Sequence, residues 1–226
     1  MPPAASKLAI ENLTFTIDGE RLIRGIDLAV ATGETLTIIG PSGAGKSTFL
    51  RLLCRLNEPT EGSVYFDGAD YRTIDPTALR TRIGLVPQSP ALREGTVREN
   101  VTIAPRLRDE SVEPGRVETL LSRVDLAGYA DRPVADLSGG EAQRVAIART
   151  LMIDPEVLLF DEPTASLDPD AQAEIEDLLT DLLTTSDRTV LLVTHDQGQV
   201  DRIADRVVRF VDGRIQAEGR PVEVIG

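Results

Sequence analysis

A glycine-rich segment with a single lysine is the clearest chemical feature of this sequence. It matches the pattern G-x-x-x-x-G-K-[ST] and consists of Gly40, Pro41, Ser42, Gly43, Ala44, Gly45, Lys46, Ser47 and Thr48. Glycines at this spacing let backbone N–H groups turn toward a phosphate, and the lysine can reach the β- and γ-phosphates of a nucleotide. The hydroxyl of Ser47 is a ligand that Mg²⁺ accepts. The segment therefore predicts a nucleoside triphosphate site.

Two adjacent carboxylates, Asp161 and Glu162, follow the apolar run Val157–Phe160. Such a run predicts a central strand, and open α/β sheets bind ligands at the carboxyl ends of their strands. We expect Asp161 to hold Mg²⁺, directly or through water, and Glu162 to orient or deprotonate an attacking water. The alternative for such a pair is a hydrated loop, which the neighbouring phosphate-binding segment disfavours.

The single histidine and one glutamine also follow predicted strands. His195 comes after Thr189–Thr194, and Gln88 comes after Ile83–Val86. At the same sheet edge, His195 is placed to contact the γ-phosphate or the attacking water, and Gln88 to contact Mg²⁺ or that water. A structural histidine and a solvated loop glutamine are the ordinary alternatives.

A second anion-binding element is predicted at Ser138, Gly139 and Gly140, which open a helix. Helix N-termini with free N–H groups attract anions. Since the chain has one lysine loop only, this helix start makes sense if it closes on a nucleotide held by another subunit. The alternative is an ordinary helix start with Ser138 as its N-cap.

These groups need a scaffold, and strand and helix signals alternate along the chain. Strands are predicted at Leu8–Ile17, Ile23–Val30, Thr35–Ile39, Ser63–Phe66, Ile83–Val86, Val157–Phe160 and Thr189–Thr194, with a last hairpin around Asp212 and Gly213. Helices are predicted at Lys46–Leu56, Thr96–Ile103, Gly115–Val124, Gly140 to about Met152, and Ala171–Leu183. This alternation predicts an α/β fold whose parallel sheet is covered on both faces.

The helix Ala171–Leu183 has an acidic face opposite its apolar stripe. Glu174, Asp177 and Asp181 lie on that face, with Glu176 at its flank. We interpret it as a solvated face, with metal binding as the alternative.

Composition limits the function classes. The 226 residues carry 24 basic and 37 acidic side chains, a net charge of −13, and only Lys7 and Lys46 are lysines. This balance argues against a nucleic-acid partner, which a broad basic surface would bind. The single cysteine excludes an internal disulfide, and no apolar stretch is long enough for a signal peptide or a membrane helix. We therefore expect a cytoplasmic protein.

Taken together, these motifs resemble the ATP-binding subunit of an ABC transporter, from about Leu8 to Gly219. In the family's order they correspond to the Walker A motif (Gly40–Thr48), the Q-loop (Gln88), the LSGGE-type signature (Leu137–Glu141), Walker B (Val157–Glu162), the D-loop (Ser166-Leu167-Asp168) and the switch histidine (His195). Six motifs in the right order make the resemblance specific.

The resemblance implies one ABC ATPase domain over residues 1–226, with a P-loop NTPase core, a mostly parallel sheet, an N-terminal antiparallel β-subdomain and a helical signature subdomain at about residues 89–150. Two copies would pair head to tail around ATP and Mg²⁺, with the Walker loop of one facing Ser138–Gly140 of the other. Glu162 would polarise the water, His195 would hold the γ-phosphate side, and Asp168 would link the two sites.

The implied partners are a second copy, separate transmembrane permease subunits at the inner face of the membrane, and, in an importer, a substrate-binding protein. Ser89–Arg93 would lie near the permease's coupling helix. Two short segments, Gln88–Leu92 and Gly95–Val101, resemble subunits for phosphate import or metal efflux. The alternative function is a soluble ABC-type ATPase in a non-transport role such as iron–sulfur cluster assembly.

The sequence departs from the family's pattern at the residue that is expected to contact the adenine base. Where the family has an aromatic residue that stacks on adenine, this sequence places Ile17, and Phe15 is an off-register candidate. An aliphatic side chain packs on a purine without offering a π-face.

Overall fold

The computed structural model describes residues 6–165, 167–184 and 187–225, and its strands form two sheets. The strands are β1 (Ser6–Ile17), β2 (Glu20–Ala31), β3 (Thr35–Ile39), β4 (Glu61–Phe66), β5 (Ala69–Asp70), β6 (Ile83–Val86), β7 (Val157–Asp161), β8 (Thr189–Val193), β9 (Arg206–Val211) and β10 (Arg214–Gly219). The helices are α1 (Lys46–Leu53), α2 (Pro76–Arg82), α3 (Val97–Val101), α4 (Ile103–Leu107), α5 (Arg116–Arg123), α6 (Gly139–Leu151), α7 (Pro169–Thr184), α8 (Gln197–Ile203) and α9 (Pro221–Val224).

The larger sheet has the order β10-β9-β3-β8-β7-β6. All its neighbouring strands pair in parallel except β10, which pairs antiparallel with β9 at one edge. Every residue of β7 and β8 is buried, as expected for strands covered on both faces. The smaller sheet, β2-β1-β4-β5, is antiparallel throughout. The predicted α/β fold with a mostly parallel sheet and an N-terminal antiparallel sheet is confirmed.

Two large apolar clusters hold these layers together. One packs α1 between the two sheets, and within it the rings of Phe49 and Phe210 lie 5.1 Å apart. The other joins β7 and β8 to α6, α7 and the short helices α3 and α5. As a result, α6 and the helices before it are packed on the same sheet that carries the phosphate loop.

Several predicted boundaries were wrong for local reasons. Helix α1 ends at Leu53 rather than Leu56, because Arg55 takes a left-handed conformation with φ of 53°. The helix predicted over Thr96–Ile103 is two short helices, α3 and α4, that meet at Thr102. Pro105 in α4 has no N–H to donate to the carbonyl four residues back, which disfavours one continuous helix.

Two helices, α2 and α9, were not among those predicted. In α2, Asp75 caps the N-terminus by accepting hydrogen bonds from the N–H groups of Thr77 and Ala78, and Pro76 occupies the first turn. An aspartate followed by proline is a helix-start signal, but the segment is too short to show a clear apolar period.

None of the helices in the described part of the chain has the length and apolar character that crossing a membrane requires.

Candidate functional site

The glycine-rich segment connects the end of β3 to the start of α1, as its sequence pattern predicts. Gly40, Gly43 and Gly45 have positive φ angles of 150°, 78° and 98°. A Cβ atom on Gly40 would lie 2.2 Å from the carbonyl oxygen of Phe210, so only glycine fits there. The N–H of Gly213 donates to the carbonyl of Ala44 over 3.0 Å, so the β9–β10 turn supports the loop from behind. The loop is a rigid backbone cradle of the kind that accepts a phosphate.

Lys46 lies inside this cradle and is only 4% exposed. Its Nζ donates to the carbonyl oxygens of Gly40 and Pro41 over 2.8 and 3.0 Å, and it is 3.5 Å from Oε1 of Glu162. A buried ammonium needs such partners. Phosphate oxygens bound in the loop can take over this role from the two carbonyls.

Asp161 and Ser47 form a hydrogen-bonded pair next to the lysine. The Ser47 hydroxyl donates to Oδ1 of Asp161 over 2.7 Å, and Asp161 is 5% exposed. Burial raises the pKa of the Asp161 carboxyl above its ordinary value, the Ser47 hydrogen bond opposes this, and the charge of Glu162 adds to it. These two oxygen donors are of the type that Mg²⁺ binds together with phosphate oxygens and water. No group of three or more His, Cys, Asp or Glu side chains that could hold a metal occurs within the described ranges.

Glu162 and His195 meet across the ends of two neighbouring strands. His195 Nε2 lies 2.7 Å from Oε1 of Glu162. The Glu162 backbone has a positive φ of 46°, and its N–H donates to the carbonyl of Val193 over 3.1 Å, which fixes the carboxylate relative to β8. Non-glycine residues in this conformation are uncommon and cluster at functional sites.

The Glu162–His195 pair lines a cavity of about 480 Å³. Its other walls are formed by Ser42, Gln88, Thr164, Ala165, Leu167, Gln172, Thr194 and Asp196. The structure thus brings the three residues predicted to be catalytic, Glu162, His195 and Gln88, to one cavity at the edge of the phosphate loop. Sequence reasoning missed Gln172, because it belongs to a helix turn that only the fold brings to this cavity.

The loop that carries Gln88 is held by helix α6. Gln143 Nε2 donates to the carbonyl of Pro87 over 3.2 Å, and Arg149 donates to the carbonyls of Pro90 and Ala91 over 2.7 and 3.1 Å. Sequence reasoning missed both side chains, since nothing in the local pattern of α6 identifies their partners. The helix that begins at the signature segment therefore also positions the Gln88 loop.

The signature segment itself is a capped helix start at the surface. The Ser138 hydroxyl accepts from the N–H of Glu141 over 3.2 Å, and the Glu141 carboxylate accepts from the N–H of Ser138 over 2.7 Å. Ser138 and Gly139 are exposed, and a Cβ on Gly140 would lie 2.9 Å from Cβ of Ala171. Ser138 is therefore the N-cap of α6, as the alternative interpretation predicts. None of the three residues lines the Glu162 cavity of the same chain.

Asp168 and Ile17 lie at the margins of the site. Asp168 is exposed and caps α7, accepting from the N–H of Ala171 over 3.0 Å; Ser166 of the same predicted loop lies outside the described residues. Ile17 is 49% exposed at the tip of the β1–β2 hairpin, whereas Phe15 packs against the main core. Phe15 is therefore occupied in packing, and Ile17 is the exposed apolar side chain at this hairpin.

Comparison with known proteins gives a consistent set of matches. The family described as ABC transporter matches residues 23–165. The chain is 44% identical to ABC transporter I family member 17 of Arabidopsis thaliana over 220 residues, which are 96% of this chain and 84% of that protein. It is 42% identical to the phosphate import ATP-binding protein PstB 2 of Natronomonas pharaonis over 230 residues, which are 96% of this chain and 80% of that protein.

The fold also matches a solved structure of the ATP-binding cassette MJ0796, a dimer in a post-hydrolysis state bound to ADP and Pi. The TM-score is 0.83 at 32% identity, covering 95% of this chain and 98% of that one.

Proposed function

Because this chain belongs to the ABC transporter family, we propose that it is the ATP-hydrolysing motor subunit of such a transporter. The observation that carries the proposal is the position of Glu162. Its carboxylate lies 2.7 Å from His195 and 3.5 Å from the Lys46 ammonium in the phosphate loop. A carboxylate at that place is within reach of a water that attacks the terminal phosphate.

The roles of the residues follow from this geometry. Lys46 and the backbone N–H groups of residues 42–48 bind the β- and γ-phosphates of ATP. Ser47 and Asp161 hold Mg²⁺, which neutralises charge on the phosphate oxygens when bound. Glu162 orients the water and accepts its proton as the water oxygen bonds to the γ-phosphorus and the bond to the β-phosphate oxygen breaks. His195 keeps the Glu162 carboxylate in place and contacts the γ-phosphate side, with Gln88 facing the water.

We further propose that two copies pair head to tail, so that Ser138–Gly140 of one copy closes on the nucleotide of the other. Two features support this: Ser138 and Gly139 are exposed, and they lie outside their own chain's Glu162 cavity. A Cβ on Gly139 would lie 3.3 Å from the Leu167 side chain, so the signature segment and the loop of Asp168 are neighbours on one face. That proximity supports the role of Asp168 as a link between the two sites.

In this proposal residues 1–226 form one ABC ATPase domain, and residues 89–150 form its helical subdomain. The subunit works in the cytoplasm, attached to the inner face of the membrane through separate permease chains. Gln143 and Arg149 hold the segment from Pro87 to Ala91 against α6. A permease that displaces Ser89–Arg93 therefore also displaces Gln88, which belongs to this segment and lines the catalytic cavity. For the cargo we propose phosphate, supplied by a substrate-binding protein, because a relative of this chain is named for phosphate import.

Capture of partners from detergent-solubilised membranes tests the proposal. We expect the tagged chain to retain an integral membrane permease, and phosphate-dependent stimulation of the ATPase activity of that complex. Arg149→Ala, which frees the loop carbonyls of Pro90 and Ala91, should weaken this capture without affecting ATP binding. Recovery of iron–sulfur assembly proteins and no permease would contradict the transport role, and stimulation by a metal cation instead of phosphate would contradict the cargo.

A further inference from the structure

Helix α7 contains a buried carboxylate that the proposed mechanism does not use. The sequence places Glu176 at the flank of a solvated acidic face, but this prediction was wrong for Glu176, which is 8% exposed. Its Oε1 accepts a hydrogen bond from Nε2 of Gln172 over 2.8 Å, and its Oε2 accepts one from Nη2 of Arg202 over 2.9 Å. Glu174 and Asp177, on the same helix, are exposed as predicted. Both oxygens of Glu176 are therefore hydrogen-bonded, one within α7 and one across to α8.

Both helices begin at the catalytic cavity. Asp196, the residue after His195, caps α8 by accepting from the N–H of Gln199 over 2.7 Å. On α7, Gln172 lines the same cavity as Glu162 and His195. The contact between Glu176 and its two partners thus connects a wall of the cavity to the helix that follows the histidine.

Although Arg202 belongs to the last turn of α8, its guanidinium lies beside the first turn of the same helix. A Cβ added to Gly198 would lie 3.8 Å from Nη1 of Arg202 and 3.2 Å from Oδ1 of Asp196. Gln199, fully buried on the same helix, makes no side-chain hydrogen bond within the described residues and does not share this task. Arg202 therefore links Glu176 to the first turn of α8, which is next to His195.

We infer that Glu176 is a positioning residue for His195: by joining Gln172 and Arg202 it fixes α8 against α7 and so holds the histidine on the Glu162 carboxylate. Removing the Glu176 carboxylate breaks both hydrogen bonds, so the contact that fixes α8 against α7 is lost and the start of α8 is expected to shift. The role of this contact in catalysis rests on the proposed ATP hydrolysis, but the effect on the histidine does not.

Because the sequence has a single histidine, one imidazole Hε1 signal in the NMR spectrum of the tag-free chain reports on His195 alone. We expect Glu176→Ala to move this signal. Arg202→Ala, at a half-exposed position, should move it too and serves where Glu176→Ala does not fold. Asp177→Ala, which removes an equal charge from the next and exposed residue, should leave it in place. A histidine signal at the wild-type position in both the Glu176 and the Arg202 variants would overturn the inference.

Kinetics separate positioning from general destabilisation. Glu176→Ala should lower kcat for ATP about tenfold, the scale expected when a catalytic group is displaced by a fraction of an ångström, while KM for ATP stays within about twofold. In a His195→Ala background the same change should cause no further loss, because the residue that it positions is absent. Losses that multiply in the double variant would contradict the inference. A wild-type chain without ATPase activity would instead refute the proposed function, and the NMR comparison would still decide the position of His195.

Discussion

At the scale of single residues, the site is organised by one carboxylate with two neighbours. Glu162 lies between the imidazole of His195 and the ammonium of Lys46, and its backbone has a positive φ. The motif in the sequence was sufficient to predict that Glu162, His195, Lys46 and Asp161 share a sheet edge. The Ser47–Asp161 hydrogen bond and the anchoring of the Gln88 loop by Arg149 could not be predicted, because they join segments that only tertiary packing brings together.

Glu162→Gln should leave ATP binding intact and lower kcat about a thousandfold, the range expected for loss of a general base. The amide keeps the shape of the side chain but cannot accept the proton of the attacking water. Calorimetry gives the ATP affinity and a phosphate-release assay gives the rate, with Glu113→Gln on an exposed loop as the matched control. Hydrolysis within about tenfold of wild type would remove Glu162 from this role.

Asp161→Asn should make the magnesium-free chain more stable and inactive. Burial raises the folded-state pKa of this carboxyl above its unfolded value, so the ionised group costs stability at neutral pH, and the cost disappears as the pH falls. The asparagine can still accept the Ser47 hydroxyl. We expect the Tm in EDTA to rise by about 2–4 °C, which corresponds to about 1 kcal/mol in a domain of this size. A lower Tm would show that the carboxylate stabilises the fold.

Ile17→Tyr should tighten ATP binding about fivefold, because an aromatic ring at the hairpin tip adds about 1 kcal/mol of stacking on the base. Leu56→Tyr is the control, since Leu56 is similarly exposed, at 54% against 49%, outside the phosphate loop and the Glu162 cavity. Calorimetric titration of ATP into both variants and the wild type measures the effect. Equal affinity of the Ile17 variant and the wild type would place Ile17 outside the base site.

At the scale of elements, a ring of four charges joins the two sheets at the end of the molecule opposite the catalytic edge. Lys7 on β1 contacts Asp67 after β4 and Glu156 before β7, over 2.9 and 2.5 Å. Arg82 at the end of α2 contacts the same two carboxylates over 2.6 and 2.5 Å. The two cations lie 4.9 and 4.2 Å from the centre of the Phe66 ring. These four charged side chains fix the antiparallel sheet relative to the larger sheet. They thereby also fix the β1–β2 hairpin beside the phosphate loop.

Glu156→Gln should flatten the acid dependence of stability. Hydrogen bonding to Arg82, followed by Lys7, lowers the folded-state pKa of Glu156 to about 2. A lowered pKa contributes stability above the unfolded value near 4.5 that is lost as the pH falls toward about 2. Between about pH 4.5 and about pH 2, the Tm of the variant should therefore fall less than the Tm of the wild type, with Glu113→Gln as the control variant. The side chain is partly exposed, so 1 M salt should shrink the difference. Parallel Tm curves for Glu156→Gln and wild type would contradict this role.

Strands that consist of one continuous apolar run were predictable from the sequence, whereas helices that depend on a single capping residue or proline were not. β3 and β6 begin and end where their apolar runs do, because a strand buried on both faces leaves a continuous apolar signature. The break between α3 and α4 and the existence of α2 depend on single residues, Pro105 and Asp75, that a period does not reveal. The burial of Glu176 depends on Arg202, 26 residues further along the chain.

At the scale of the whole molecule, the proposed pairing means that one chain supplies only part of each nucleotide site. The phosphate loop, Asp161, Glu162 and His195 converge on one edge, while the exposed Ser138 and Gly139 face outward beside the loop of Asp168. In the proposed pair, a second copy related by a twofold axis would bring each exposed helix start to the other's phosphate loop, an isologous arrangement. The net charge of −13 disfavours close approach of two copies, so bound Mg²⁺ and the interface contacts must overcome this repulsion.

The mass of the Glu162→Gln chain in solution, measured by light scattering after gel filtration, tests this arrangement most directly. With MgATP it should be twice the 24.5 kDa of one chain, and with MgADP it should be that of one chain. Adding Ser138→Arg should abolish the dimer while ATP binding persists. Adding Ser138→Ala, which removes the same N-cap without introducing bulk or charge, should preserve the dimer. A monomer with MgATP, or a dimer that persists with Ser138→Arg, would contradict the shared nucleotide site.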